Sequence, residues 1–159
     1  MTIPRRLFLD ANVWIAAAGS PTGASAMLLT LCQEERAEAA VTRLVLLEAE
    51  KNVRTKFGDA ALVRFYRLIS APGLQIVPVP SNQEMAVYAN IIHAKDTHVL
   101  AGAHKAKANA LITLDRQRRE HCPPGLRVIN FSIGDPREPT PAFIREALRQ
   151  AVPEVSSYP

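Results

Sequence analysis

Two aspartates in this 159-residue chain directly follow short apolar runs of strand length. Asp10 follows residues 7–9, and Asp115 follows residues 110–114. In open parallel sheets the functional crevice lies at the carboxyl ends of the strands. Two strand-terminal carboxylates in one domain therefore indicate a shared acidic site, although either one alone could be the N-cap of a following helix.

Further acids lie on predicted helices. Asp96 opens a helix whose apolar stripe includes Leu100, which places the carboxylate at the core-facing edge of the first turn. Its alternative role is to stabilise the helix dipole. On an earlier helix, Glu48 and Glu50 flank one apolar arc, and the periodicity does not choose between them. Glu50 also has the i,i+4 spacing to Arg54 that is typical of an exposed ion pair.

A cluster of carboxylates favours metal chemistry. Carboxylates that converge repel one another unless protons or cations compensate their charge. Mg²⁺ and Mn²⁺ prefer oxygen ligands and supply that charge. A two-metal arrangement can activate water, hold a phosphate and stabilise the leaving oxygen during in-line displacement. The acids therefore indicate metal-assisted phosphate-ester chemistry, and a phosphodiester needs little else from the protein.

Strands that alternate with helices must position these acids. Strands are predicted over residues 7–9, 39–41, 74–79, 110–114 and 127–131. Helices are predicted over residues 11–18, 24–35, 43–57, 59–70, 82–92, 96–106 and 140–151. This order implies βαβ units, a mostly parallel sheet and helices on both faces. We expect residues 1–151 to form a single domain and residues 152–159 to form a flexible tail.

Turn and cap residues set the predicted boundaries. Ser20, which precedes a proline, is expected to cap the second helix, and Thr42 the third. Gly58 is expected to end that third helix. Ser81 starts a capping box for the fifth. Pro78 favours an edge position for the strand that contains it.

Composition and charge bear on the expected partners and the expected cellular compartment of the protein. The formal net charge is +4 with a pI near 9.4, which weakly favours polyanionic partners. Cys32 and Cys122 lack metal-site or redox-motif spacing, so we expect reduced thiols in a cytoplasmic protein. Asp10 and Asn12 interrupt the N-terminal apolar stretch, so no signal peptide is expected. No uncharged apolar run reaches the roughly 18 residues that span a membrane.

Four segments resemble those of PIN domains. Residues 9–15 resemble the opening of the family, in which a strand-end Asp is followed by a small residue, Asn and an apolar helix. Residues 42–48 resemble the Ser/Thr that is followed six residues later by an acid, which selects Glu48 over Glu50. Residues 96–103 resemble the segment that carries the third acid, and residues 110–115 the strand that ends in Thr-x-Asp.

The resemblance implies a three-layer α/β/α PIN-like fold and a Mg²⁺- or Mn²⁺-dependent ribonuclease activity. It also implies kinship with VapC-like toxins, which are bound by an antitoxin protein. It implies that Asn12 and Thr113 orient ligands or waters. RNA is the expected substrate with DNA as an alternative, and a homodimer is left open. The catalytic metal ligands that it implies are Asp10, Glu48, Asp96 and Asp115.

The chain departs from its relatives at two places. The segment after Asp115 carries no further acid where some relatives have one, which leaves open whether one metal or two bind. Instead it carries Arg116, Arg118 and Arg119. These side chains could bind the phosphates beside the scissile bond, or they could form a solvent-exposed cluster of positive charges. The predicted helix over residues 140–151 also makes the chain longer than a compact toxin of this type.

The sequence gives less support to other functional classes. His93, His98 and His104 do not share one helix face at i,i+4 spacing, and hard-metal chemistry does not need them, so we assign them no metal role. A PIN-fold binding module without cleavage would lack an acid, and none is missing. Haloacid-dehalogenase-like phosphatases carry a second Asp two residues after the first, where this chain has Asn12. A housekeeping nuclease for RNA or DNA remains an alternative to a toxin.

Overall fold

The computed structural model describes residues 5–115 and 125–131, together with helical positions 142, 146 and 150. The strands are β1 (Arg5–Leu9), β2 (Ala37–Thr42), β3 (Leu74–Val77), β4 (Ala110–Thr113) and β5 (Arg127–Asn130). The helices are α1 (Ala11–Gly19), α2 (Ala24–Gln33), α3 (Arg43–Ile69), α4 (Asn82–Ala86) and α5 (Thr97–Lys105), and a 3₁₀ turn covers Ala94–Asp96.

All ladders between these strands are parallel, and the strand order is β3-β2-β1-β4-β5. The chain moves outward from β1 through β2 to β3, then returns to the opposite side of β1 for β4 and β5. Because crossovers between parallel strands are right-handed, this reversal places α1, α2 and α3 on one face and α4 and α5 on the other. The predicted α/β fold with a parallel central sheet is confirmed, and its crevice is expected between the carboxyl ends of β1 and β4.

The core is built around β1. Phe8 and Leu9 on this strand are fully buried, as is Trp14 on α1. The last turn of α1 is fixed from α3, where Arg64 Nε donates a hydrogen bond of 2.7 Å to the carbonyl of Ala18. This contact uses one of the helix-terminal carbonyls that lack a partner within their own helix. Arg64 thereby fixes the C-terminal end of α1, the helix that Asp10 precedes.

Helix α3 is two helices joined at Gly58. Gly58 has φ 71° and ψ −167°, a conformation that side-chain-bearing residues rarely adopt, so the predicted end of a helix at this glycine is confirmed. Tyr66 Oη donates a hydrogen bond of 2.9 Å to Glu50 Oε1 across this break. Sixteen residues would span about 24 Å in a straight helix, so the two halves must fold back on each other.

Gly102 allows α5 to lie close against the sheet. A Cβ atom at this position would come within 2.7 Å of Phe8 Cζ on β1 and 3.0 Å of Thr42 Cγ2 on β2. Both side chains are fully buried and have no room to retreat. The absence of a side chain at Gly102 therefore sets the height of α5 above the sheet and, with it, the position of the helix N-terminus.

Several predicted boundaries are confirmed. Thr42 Oγ1 accepts a hydrogen bond from the backbone of Val45 at 3.5 Å and caps α3. Ser81 and Glu84 form both bonds of the capping box at the start of α4. Strand β3 is an edge strand and ends directly before Pro78, in agreement with the lack of a donor on proline.

Two predictions at helix ends are wrong. Ser20 ends α1 rather than starting α2, because its backbone N–H donates to the carbonyl of Ala16. A turn then follows, and α2 begins after Gly23. Helix α4 ends at Ala86 instead of continuing to about residue 92, since the chain passes into tight i→i+3 turns such as the one from Tyr88 to Ile91.

The predicted C-terminal helix falls mainly outside the described residues. Positions Ala142, Glu146 and Gln150 are helical, and Gln150 Nε2 donates to Glu146 Oε1 at 3.2 Å. The expected tail over residues 152–159 lies outside the described part of the chain. Among the described helices no single one is long and apolar enough to cross a membrane; α1 and α2 meet that length and composition only as a pair bent by 101°.

We predict that Gly102→Ala destabilises the protein although alanine favours helices. Helix propensity should contribute about 1 kcal/mol of stabilisation, whereas overpacking against Phe8 should cost about 1–3 kcal/mol. Gly102→Val should lower the free energy of unfolding further. Urea denaturation measures this, with His104→Ala on the exposed side of α5 as the control. A Gly102→Ala variant more stable than the wild type would contradict the close approach.

Candidate active site

Asp10 is a buried carboxylate at the carboxyl end of β1. Its side chain is only 1% exposed, and its Oδ1 accepts a hydrogen bond of 2.8 Å from the backbone of Ala11. The N-cap role considered for this residue is therefore confirmed. Its backbone N–H donates to the carbonyl of Ile112 at 3.0 Å, which continues the pairing of β1 with β4. Asp10 thus lies at the reversal of the strand order.

The hydroxyl of Thr113 links the two central strands. It donates a short hydrogen bond of 2.6 Å to Asp10 Oδ2, and it accepts bonds from Asn12 Nδ2 at 3.2 Å and from the backbone of Asp115 at 3.0 Å. A hydroxyl has one donor and two acceptor positions, so all three are used. The rotation of this group is fixed, and the direction from which it approaches Asp10 is fixed with it.

Asn12 also positions Asp10. Its Nδ2 donates to Asp10 Oδ2 at 3.2 Å, while its Oδ1 accepts a bond of 3.0 Å from the backbone of Leu114. The amide orientation is therefore determined by both of its ends. Asn12 and Thr113, which the family resemblance places next to the ligands, are in direct contact with the first acid.

Asp115 follows β4 and is partly exposed. Its carbonyl accepts a hydrogen bond of 2.9 Å from Asn130 Nδ2 at the end of β5. Asn130 therefore fixes the backbone at Asp115 from the neighbouring strand. Sequence analysis did not identify Asn130; the available signal was its position at the carboxyl end of a predicted strand.

Glu48 and Glu50 have different surroundings. Glu50 Oε1 accepts bonds of 2.9 Å from both Tyr66 and Arg54, so the predicted ion pair of Glu50 with Arg54 is confirmed. The hydrogen bond from Tyr66, followed in size of effect by that from Arg54, lowers the pKa of Glu50 below its usual value. Glu48 has a side chain that is 48% exposed and lies 3.9 Å from His98 Nε2 on α5. Of the two acids, Glu48 is the one next to the N-terminal part of α5.

Asp96 ends the 3₁₀ turn and occupies the N-cap position of α5 without a side-chain capping bond. It is partly exposed. Helix α5 leads into the amino end of β4, so its N-terminus lies at the carboxyl edge of the sheet. This is the edge at which Asp10 and Asp115 lie. The partial positive charge of the helix N-terminus therefore faces the region of the acids.

The structure thus brings one part of the predicted site into direct contact. Asp10, Asn12, Thr113 and Asp115 form a hydrogen-bonded group, while Glu48 and Asp96 border the same edge from α3 and α5. Within residues 5–115 and 125–131, no three Asp, Glu, His or Cys side chains are grouped closely enough to hold a metal ion. The four acids nevertheless offer only carboxylate oxygens, the ligand type that Mg²⁺ and Mn²⁺ prefer, so the donor chemistry fits these ions.

The arginines after Asp115 and the histidine His98 are the remaining residues that the sequence analysis considered for the site. Arg116, Arg118 and Arg119, the predicted phosphate-binding run, lie outside the described residues. His98, which the sequence gave no role, is largely buried beside Glu48. Its neighbour in space is 50 residues away in the chain, so the spacing of the histidines among themselves could not reveal it.

Comparison with curated proteins finds short local matches to two aminotransferases. A segment of 45 residues is 40% identical to LL-diaminopimelate aminotransferase 2 of Trichormus variabilis and 38% identical to that of a Nostoc species. Each match covers 28% of this chain and 12% of the aminotransferase. The chain therefore spans about an eighth of the curated relatives that it matches, which is too little to show a family.

Solved structures share the fold. VapBC2 from Rickettsia felis, bound to a DNA fragment from its promoter, matches with a TM-score of 0.60 at 18% identity, over 79% of this chain and 98% of the other. FitAB, bound to a DNA fragment, matches with a TM-score of 0.53 at 19% identity, over 83% and 99%. VapC20 of Mycobacterium tuberculosis, a sarcin–ricin loop cleaving toxin, matches with a TM-score of 0.50 at 15% identity, over 66% and 86%.

The family follows from the sequence match. Residues 6–117, more than half of the chain, match the family model of the PIN domain. This segment runs from β1 to just beyond β4, so it contains all four acids together with Asn12 and Thr113. The chain belongs to the PIN domain family.

Proposed function

We propose that this protein is a divalent-metal-dependent endoribonuclease that hydrolyses phosphodiester bonds and acts as the toxin of a toxin–antitoxin pair. PIN domain proteins are nucleases, and they generally use divalent metals. The observation that carries the proposal is the buried carboxylate of Asp10, held by Thr113 and Asn12 between the carboxyl ends of β1 and β4. This is the place where an open parallel sheet binds its ligand.

The proposed roles of the acids follow from their positions. Asp10 is the fixed member, since three donors from the protein set its orientation. Asp115 is held beside it through Thr113. Glu48 on α3 and Asp96 at the N-cap of α5 complete the donor set. The side chain of Glu48 is about half exposed. A bound Mg²⁺ or Mn²⁺ would polarise the phosphate and make a water molecule nucleophilic.

Substrate binding needs positive charge outside the acids. A cleft of carboxylates repels a polyanion, and a metal offsets this only at the scissile phosphate. We assign the flanking phosphates to Arg116, Arg118 and Arg119, which directly follow Asp115 in the chain. The likeness to VapC20, a toxin that cleaves the sarcin–ricin loop, supports RNA as the substrate.

The proposed partner is an antitoxin protein. The family resemblance to VapC-like toxins and the structural likeness to VapBC2 and FitAB support a partner of this kind. To block cleavage it would have to neutralise or cover the acids, and a basic side chain placed among carboxylates does both.

We predict that Asp10→Asn and Asp96→Asn abolish Mn²⁺-dependent RNA cleavage while the far-UV circular dichroism spectrum is preserved. Each change removes the charge of a metal ligand at nearly constant shape, which should forfeit several kcal/mol of transition-state stabilisation. Cleavage of labelled RNA with Mn²⁺, Mg²⁺ or EDTA measures this. Asp59→Asn, an exposed acid next to Gly58, is the matched control. Cleavage that survives in EDTA would refute the metal requirement.

A second prediction concerns the two glutamates of α3. Glu48→Gln should lower the cleavage rate about 100-fold or more, because a contact made in the transition state is lost. Glu50→Gln should leave the rate within about twofold, since Tyr66 and Arg54 engage this side chain. The two substituted positions lie two residues apart on the same helix, and the variants are compared under single-turnover conditions. An inactive Glu50→Gln with a fully active Glu48→Gln would show that the assignment on α3 is wrong.

A third prediction separates a toxin from a housekeeping nuclease. Expression of the wild-type chain should arrest growth, and co-expression of the protein encoded by the adjacent gene should restore it. Asp10→Asn should be harmless in the same cells, because it removes cleavage and not the fold. The two proteins should also copurify. If an enzyme that is active in vitro can be overexpressed without effect on growth, the housekeeping alternative is correct.

A further inference from the structure

The two ring nitrogens of His98 have unlike surroundings. Nδ1 lies 2.8 Å from the carbonyl of Lys95. A carbonyl can only accept, so Nδ1 carries a proton, and in the neutral ring Nε2 is left as an acceptor with a lone pair. Nε2 is buried, and within the described part of the chain it has no hydrogen-bond partner. The side chain as a whole is 15% exposed.

Nε2 faces the carboxylate of Glu48. The distance from Nε2 to Glu48 Oε2 is 3.9 Å, which is too long for a hydrogen bond. In the neutral ring both atoms present lone pairs, so their approach is unfavourable unless a cation lies between them. Buried polar atoms normally have partners, and the exceptions need a physical explanation.

The separation is close to that of two ligands on one metal ion. Ligand atoms at about 2.1 Å from a shared ion lie about 3.0 Å apart in octahedral geometry and about 3.4 Å apart in tetrahedral geometry. A shift of about 0.5–0.9 Å would bring Nε2 and Glu48 Oε2 into that range. Glu48 is half exposed, and its carboxylate has room for such a shift.

We infer that His98 Nε2 is a ligand of the divalent ion, beside Glu48 and two residues after Asp96 in the chain. This inference rests on the proposed metal-dependent nuclease and adds one nitrogen to an otherwise all-carboxylate donor set. The bond from Nδ1 to Lys95 is the arrangement that metal-binding histidines use to fix their tautomer. The accepting carbonyl of Lys95 belongs to the 3₁₀ turn that also carries Asp96, so this turn orients the ring of His98.

A nitrogen ligand alters metal preference. Mg²⁺ selects oxygen, whereas first-row transition ions accept imidazole and bind it with affinity that rises from Mn²⁺ to Co²⁺. His98 should therefore raise the affinity for Mn²⁺ and Co²⁺ relative to Mg²⁺. The competing explanation is a proton on Nε2, which would make an imidazolium paired with Glu48 and would give no metal–nitrogen bond.

Pulsed electron paramagnetic resonance of the full-length chain loaded with Mn²⁺ tests this directly. The wild type should show ¹⁴N coupling to the Mn²⁺ ion. His98→Gln should lose that coupling, whereas His104→Gln, at an exposed position of the same helix, should keep it. By calorimetry, His98→Gln should bind Co²⁺ about tenfold or more weakly, and Mg²⁺ within about twofold of the wild type.

The outcomes separate the inference from the function on which it rests. Mn²⁺ bound by the wild type without ¹⁴N coupling overturns the role of His98 and leaves the metal-dependent nuclease intact; this measurement needs no variant to fold. Coupling that persists in His98→Gln also overturns it, because another histidine is then the ligand. No Mn²⁺ binding by the wild type overturns both proposals.

Discussion

The hydrogen bond between Thr113 and Asp10 joins the two central strands at the point on which the site depends. A carboxylate that is withdrawn from water is costly unless donors from the protein replace the lost hydration. Asp10 receives three such donors, one from the backbone of α1 and two from side chains. Bonds to a charged group contribute about 1.5–3 kcal/mol each, so this arrangement can compensate the burial. The pairing of Leu9 with Ile112 must be kept for these donors to reach it.

The rest of the fold maintains that pairing and brings the other acids to the same edge. Helix α5 can lie low over β1 and β2 because Gly102 has no side chain, which sets the level of Asp96. The return of α3 at Gly58 brings Tyr66 to Glu50, which Arg54 already engages within the first half of the helix. This leaves Glu48, two residues earlier, at the edge next to α5. The acids are therefore placed from three parts of the fold: the sheet for Asp10 and Asp115, α3 for Glu48, and the turn before α5 for Asp96.

Features that depend on neighbours in sequence were predictable. The strands before Asp10 and Asp115, the cap at Thr42, the capping box at Ser81 and the helix end at Gly58 all follow from local hydrophobic runs and backbone preferences. The predicted cap at Ser20 was wrong, since a serine before a proline fits a helix start and also fits the turn that ends the preceding helix. The choice of Glu48 came only from the family resemblance, because both glutamates flank the same apolar arc.

Contacts between distant residues could not be predicted in the same way. The bond from Asn130 to the backbone of Asp115 joins two strands whose pairing the sequence does not state. The approach of His98 to Glu48 depends on how two helices from different crossovers meet at the sheet edge. Helical periodicity gives the face of each helix, but not which face of another helix lies opposite. These contacts carry most of the site geometry that the sequence left open.

The separation of Asp10 and Thr113 along the chain has a consequence for biosynthesis. The two residues are 103 positions apart, and a contact of this kind forms only after a long loop has closed. Because synthesis proceeds from the N-terminus, β1 leaves the ribosome long before β4 exists, and Asp10 has neither its strand partner nor its hydroxyl donor during that interval. A nascent chain therefore carries an unassembled site until nearly all of the sheet has been translated. Under the proposed function, this delay would prevent an incomplete chain from cleaving the RNA of the ribosome that is making it.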